Sequence, residues 1–245
     1  MFSIFNTKAA PVDYFPIVTD IHSHILPGLD DGSPDIETSL ILINGLMKLG
    51  ITHSIATPHI IGDLYRNDAL SISKALTLLN DALLQKQIDF KVSAAAEYML
   101  DSYFLELLST NTPLLTIKNN MVLTEFSYAA KPNNIEQIIF TIITNNYQPI
   151  LAHPERYGYF YNDFKQYNYL NDLGFLLQVN LLSLTGYYGK PAAKAAQYIV
   201  KNNLASYIGT DMHHARHLQE LSNYSNRAIF QKTFGNKKLN AEMLF

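Results

Sequence analysis

The chain has no cysteine among its 245 residues. That excludes a disulfide framework, a thiolate zinc site and any mechanism that runs through a cysteinyl intermediate. A metal here must be held by His, Asp and Glu, a donor set suited to Mn, Fe or Zn. Charge is also sparse: 16% of residues are Asp, Glu, Lys or Arg, the net charge is −3, and the cations are scattered. No basic stripe marks a nucleic-acid footprint or a polybasic membrane patch. No apolar run is long enough to span a bilayer. Residues 1–8 lack the basic-then-apolar order of a signal peptide, so the expectation is a cytoplasmic chain without membrane insertion. The Gly-x-Gly-x-x-Gly fingerprint is missing, which argues against a dinucleotide site. Repeats, linkers and low-complexity stretches are missing too. We therefore read 1–245 as one domain, with an extended lead-in over 1–15 and a polar tail over 234–245.

The chain does hold enough apolar residues, 48%, for a large core. Apolar, β-prone runs near 16–22, 52–57, 90–96, 121–124, 149–152, 175–179 and 206–209 alternate with segments of helical periodicity. In the first helix, Ser33 and Pro34 read as N-cap and N1, and Leu40, Ile41, Ile43, Leu46, Met47 and Leu49 form the apolar stripe. The last helix is expected over 214–233. Seven alternations predict a parallel sheet with crossover helices, closed or nearly closed into a barrel. An open doubly wound sheet is the competing topology.

His22, His24, His59, Glu97, Glu125, His153, Asp211 and His213 all fall at or just past the C-terminal end of an apolar run. In a parallel barrel those ends share the face where active sites are built. So many ionisable groups converging on one cavity would be costly without compensation, and divalent cations are the simplest compensation. Asp30 and Asp31 lie in an Asp-Asp-Gly turn, where aspartate has an ordinary turn role. His53 is expected to be buried in or beside the second strand. His214 and His217 are read as helix-surface groups. Of the 16 tyrosines, most are expected to pack helices on the barrel. Tyr98, Tyr128, Tyr157 and Tyr159 lie near strand ends.

Asp20-Ile21-His22-Ser23-His24 with Asp30-Asp31-Gly32, Thr57-Pro58-His59, Ala152-His153-Pro154-Glu155-Arg156 and Gly209-Thr210-Asp211-Met212-His213 together resemble the PHP (polymerase and histidinol phosphatase) superfamily. Within it, His-Ser-His-Ile-Leu-Pro-Gly, Ala-Glu-Tyr and Thr-Glu-Phe-Ser resemble the bacterial protein-tyrosine phosphatases of capsule and exopolysaccharide operons. The resemblance implies a distorted (β/α)7 barrel with three divalent metals, manganese foremost. One metal would take His22, His24, Glu97 and Asp211, and a second Glu97, Glu125 and His153. The third would take Asp31, His59 and His213. The resemblance alone promotes Asp31 to a ligand. It also implies phosphate-binding arginines, for which Arg156 and Arg216 are the candidates.

The implied reaction is hydrolysis of phosphotyrosine by a hydroxide bridging two metals, a nucleophile that needs no cysteine. Four carboxylates against three divalent ions would leave about +2 to hold hydroxide and phosphate. The implied partner is the tyrosine-rich tail of a bacterial kinase of polysaccharide export. The lead-in and the tail are candidate contacts for oligomerisation. Competing readings are a histidinol-phosphate or other small phosphomonoester phosphatase, an amidohydrolase-like hydrolase or nuclease, and a metal-bearing binding module without catalysis. A calcineurin-type phosphoesterase would share Asp20-x-His22, but its Gly-Asn-His stretch is missing.

Overall fold

Strands and helices alternate along the chain, as the hydrophobic periodicity predicts. A computed structural model describes residues 14–235, 237 and 239–243. The strands are β1 (Thr19–Ser23), β2 (His53–Ala56), β3 (His59–Ile60), β4 (Lys91–Ala94), β5 (Glu97–Met99), β6 (Met121–Glu125), β7 (Gln148–Ala152), β8 (Leu176–Asn180) and β9 (Ala205–Gly209). The helices are α1 (Ile36–Lys48), α2 (Ala69–Gln85), α3 (Ser102–Ser109), α4 (Ile135–Thr144), α5 (Lys165–Asp172), α6 (Lys190–Lys201), α7 (Ala215–Ser222) and α8 (Tyr224–Phe234). Every strand pairing is parallel, in the orders β1-β2-β4 and β3-β5-β6-β7-β8-β9.

The two sheets are parts of one distorted ring. β2 and β3 are one line interrupted at Thr57-Pro58, where proline has no N–H to give. β4 and β5 are a second line, interrupted at Ala95-Ala96. The offset between these lines is unchanged across the gaps: Ala56 lies opposite Ala94, and His59 opposite Glu97. Within the gaps, the N–H of Ala95 donates to Ala56 O at 2.8 Å and that of Glu97 to Pro58 O at 3.1 Å. The other seam, between β9 and β1, is joined just past the end of β9. There Asp211 N–H donates to His22 O and His24 N–H to Met212 O, both at 2.8 Å. Asp20 binds the Thr210 N–H and hydroxyl across the same seam.

The strand period of two sorts the inward face into layers. Ile55, Ala95 and Leu123 sit in a buried apolar cluster with Ile21, Ile150 and Met243. Further along the same faces come His59, Glu97 and Glu125. A larger core fills the space between strands and helices.

Three expectations are corrected. The N-cap of α1 is Asp35, whose carboxylate accepts from Thr38 N–H at 2.8 Å, while Ser33 hydrogen-bonds Ser39 from the preceding turn. In the apolar stripe Leu40, Ile43, Leu46 and Leu49 are buried as expected, but Leu42 is buried and Ile41 is 59% exposed. The last helix is two helices, because Asn223 is extended and its side chain caps α8 through Ser225 N–H. The chain beyond α8 is also not a free polar tail. Leu239 N–H bonds Pro16 O at 2.7 Å, Asn240 is buried, and Met243 enters the apolar cluster. Of the expected lead-in, residues 1–13 lie outside the described residues, as do 236, 238, 244 and 245; Tyr14 and Phe15 are buried.

Candidate metal centre

The C-terminal ends of the strands surround a cavity of about 280 Å³. His22 lies in β1 where its pairing with β2 shifts register, between Asp20 and Ser23, and is fully buried. Its Nδ1 contacts Gln178 Oε1 at 2.7 Å, which fixes the ring and leaves Nε2 as the inward atom. That Nε2 is 3.1 Å from Glu97 Oε2 and 3.4 Å from Asp211 Oδ1. The support continues as a chain of amides: Gln178 donates to Asn180 Oδ1 at 2.9 Å, and Asn180 donates to Asp211 Oδ2 at 2.7 Å.

His24 is held in the same way by Asp30, whose Oδ2 is 2.7 Å from its Nδ1. Asp30 is thus more than a turn residue. One of its oxygens closes the turn on Gly32 N–H at 3.0 Å, while the other orients His24 and accepts His59 N–H. Gly32 is required here, because a Cβ would collide with His24. Burial pushes Asp30 up, but His24 and two backbone N–H groups outweigh it and hold the carboxyl well below its usual range.

Glu97 lies at the centre, with Oε1 3.0 Å from His153 Nε2 and Oε2 3.2 Å from His59 Nδ1. His59 Nδ1 also approaches Glu125 Oε1 to 2.9 Å, but the alignment makes no hydrogen bond, and both atoms are buried without a hydrogen-bond partner. His153 follows β7 and Asp211 follows β9, each in left-handed backbone, with φ of 35° and 53°. Such strain costs free energy and persists where the surroundings over-determine the side chain. His213 stacks on His24 with ring centres 3.9 Å apart. Asp31 is 57% exposed, yet its Oδ1 is 3.6 Å from both His59 Nε2 and His213 Nε2.

All nine residues read as candidate ligands are therefore brought together. Their donor atoms form four overlapping groups, each within 4.8 Å: His24, Asp31, His59 and His213; His22, His24 and Asp211; His22, Glu97 and His153; and His59, Glu97 and Glu125. His59 thus belongs to an inner group as well as the outer one. The electrostatics fit a cation. Burial disfavours charge on His22 and His59, but the nearby carboxylates, Glu97 first, raise both to about 10. Burial, with Glu97 alongside, lifts Glu125 to about 7. The carboxylates draw protons onto buried imidazoles, and a divalent ion neutralises the same carboxylates while leaving the imidazoles free to ligate.

Arg156 reaches the cavity from the turn after His153. Its Nη1 donates to Asp211 Oδ2 at 2.7 Å, and its guanidinium lies over the rings of Tyr188 and Tyr128, 4.2 and 5.1 Å from their centres. Arg216 is not brought there. It is exposed on α7, over the Tyr187 ring at 5.5 Å, and does not line the cavity. His217, expected on a helix surface, is buried and lines the cavity, with Nδ1 accepting His213 N–H at 3.3 Å. His213 directly precedes the N-cap of α7, which brings its N–H onto His217 in the first turn. His214 is exposed and caps α7. His53 is buried at the start of β2, as expected.

Gln178, Asp30 and Tyr188 are site residues that the strand-end pattern does not single out, and Asn180, at the end of β8, carries an amide rather than an ionisable group. Residues 18–243 match the family described as "Capsular polysaccharide synthesis, CpsB/CapC". The chain is 28% identical over 222 residues to tyrosine-protein phosphatase YwqE of Bacillus subtilis, covering 89% of this chain and 85% of that protein. It is 27% identical over 228 residues to tyrosine-protein phosphatase CpsB of Streptococcus pneumoniae, covering 89% and 92%. The fold superposes on a crystal structure from a study of YwqE and CpsB, described there as unique metal-dependent tyrosine phosphatases. The TM-score is 0.78 at 28% identity, covering 89% of this chain and 87% of the other.

Proposed function

The chain belongs to the CpsB/CapC family of capsular polysaccharide synthesis, and from that premise we propose that it is a metal-dependent protein-tyrosine phosphatase. The observation that carries the proposal is the buried pair His59 Nδ1 and Glu125 Oε1. They face each other at 2.9 Å without a hydrogen bond, beside Glu97 and within a ring of further imidazoles and carboxylates. Two buried donor atoms that face each other without an aligned hydrogen bond suit a cation.

We assign the ion-holding role to His22, His24, Asp31, His59, Glu97, Glu125, His153, Asp211 and His213, with three divalent ions and manganese as the first choice. Ions bound there supply Lewis acidity, charge neutralisation on phosphate and acidification of water. The protein's own groups do the rest. Gln178, Asp30 and Tyr128 each engage an imidazole Nδ1 and so aim Nε2 of His22, His24 and His153 inward. Arg156 keeps one N–H on Asp211 and has others to offer phosphoryl oxygens as charge develops on them. Water oxygen bonds to phosphorus, the bond from phosphorus to the tyrosyl oxygen breaks, and inorganic phosphate and tyrosine are the products. The leaving phenol has a pKa near 10, so its departure needs little protonation.

A tyrosine-rich tail of a polysaccharide-export kinase is our proposed substrate, and the cytoplasm our proposed location. No helix among the described residues is long and apolar enough to cross a membrane. The test is phosphate release from a phosphotyrosine peptide by manganese-loaded protein, with metal content measured alongside. Chelator-sensitive turnover is expected. A metal-replete protein that releases no phosphate would sink the proposal.

A further inference from the structure

Four tyrosines lie near strand ends, and the structure gives them different tasks. Tyr98 is buried and its hydroxyl accepts Leu115 N–H. Tyr157 is buried between Phe126 N–H and Ala152 O. Tyr159 donates to Ser127 O. Tyr128 alone of the four lines the cavity, and it is 45% exposed. An exposed aromatic ring is ordinarily loose, but this one is anchored. It stacks on His153 at 5.7 Å and 23°, its hydroxyl is 3.2 Å from His153 Nδ1, and Tyr157 packs against it at 5.4 Å. The Arg156 guanidinium lies 5.1 Å from its centre.

We infer that Tyr128 is a specificity-determining residue, whose held ring contacts the aryl group of the phosphate ester. This rests on the phosphatase reading of the site. In an aryl ester the ring is one oxygen away from phosphorus. A phosphoryl group beside Arg156 therefore places that ring next to the residue flanking Arg156. The other flanking tyrosine, Tyr188, is less available, because the guanidinium lies closer over its face, at 4.2 Å. An anchored aromatic edge or face recognises a second ring with little ordering cost.

Leaving-group chemistry is avoided by comparing phenylphosphonate with methylphosphonate, which share a head group and cannot be hydrolysed. Binding to the manganese-loaded protein is read by calorimetry. The wild type is expected to prefer phenylphosphonate. Tyr128→Leu is expected to reduce that preference about fivefold, in the range of an aromatic pair. Tyr128→Phe, which keeps the ring and loses the hydroxyl, is expected to retain it. An undiminished preference in Tyr128→Leu would overturn the inference and leave the phosphatase reading standing. A preference lost equally in Tyr128→Phe would overturn it too, by assigning the effect to the hydroxyl. Failure of the wild type to bind either phosphonate would remove both.

Discussion

At the base of the ring, Ile21, Ile55, Leu123, Ile150 and Met243 pack into a buried apolar cluster. A few residues along the same strands, His22, His59, Glu97 and Glu125 crowd the other end. Both layers are largely buried; Ile55 with His59 and Leu123 with Glu125 keep the inward period of two, whereas His22 follows Ile21 directly where β1 shifts register against β2. The base supports itself, since apolar groups gain by leaving water. The top does not: its buried charges need partners, and His22 and His59 beside Glu97 serve by holding protons. Stability is thus concentrated at one end of the barrel and cation affinity at the other. Substitutions at the two ends should separate them.

The sharpest break is Glu97→Gln. Glu97 is fully buried and touches His22, His24, His59 and His153. Neutralising it removes the charge shared by two of the ligand groups. Turnover of an aryl phosphate is expected to fall about 10³-fold, with loss of bound metal by elemental analysis. Full metal content in this variant would contradict the shared role of Glu97.

Next is Asp31→Asn, which divides the top itself. Asp31 is 57% exposed and belongs to the outer group alone. It should lower metal stoichiometry without emptying the site and reduce turnover by about 10–100-fold. Loss of all metal would mean that the outer and inner groups are not separable.

Much of this was legible in the strand-end pattern, because ionisable residues at the ends of six of the seven apolar runs are a signal that periodicity exposes. Eight of the nine candidate ligands follow from it, and the Asp-Asp-Gly turn needed the resemblance to bring in Asp31. Gln178 escaped because it lies within a strand between Leu177 and Val179, where a polar residue reads as an ordinary interruption; Asn180 ends that strand but was passed over because its amide is not ionisable. Asp30 escaped because turn chemistry already accounted for it, and it does close the turn. His217 was misplaced because its burial depends on where α7 lies against Tyr187 and Tyr188, which no local pattern encodes. The broken last helix had a local signal, Asn223 before Ser225, that the longer apolar spacing masked.

A smaller effect is expected from pH on the metal-free protein. His22 and His59 are raised to about 10 because burial is outweighed by carboxylates, Glu97 first. In the unfolded chain both titrate near 6.5. The native state therefore binds more protons between those values. Their contribution is complete below pH about 6.5 and is lost as pH rises toward 10. Glu125, raised to about 7 chiefly by burial, adds the same sign between about 4.5 and 7. The melting temperature of metal-free protein should fall from pH 6.5 to 10, and manganese should flatten the slope. A flat metal-free profile would contradict the view that protons stand in for cations at the top.

The least effect on activity is expected from Asn240→Ala, at the base. Asn240 is buried below the seam between β9 and β1, where the strands do not pair with each other. Its amide donates to Thr19 O at 3.1 Å and Ile208 O at 2.6 Å, and its oxygen accepts Ile208 N–H at 3.2 Å. One side chain thus joins the two edges that backbone bonds join at the top. Alanine leaves three buried backbone groups short of partners, and the cost should be about 1–3 kcal/mol by denaturant unfolding. Bound metal and turnover at 25 °C should stay at wild-type values, since the top of the seam is held separately by His22, His24, Asp211 and Met212. A metal deficit in Asn240→Ala would show the reverse: the ionic end would depend on closure at the base, and the two ends of the barrel would be one cooperative unit.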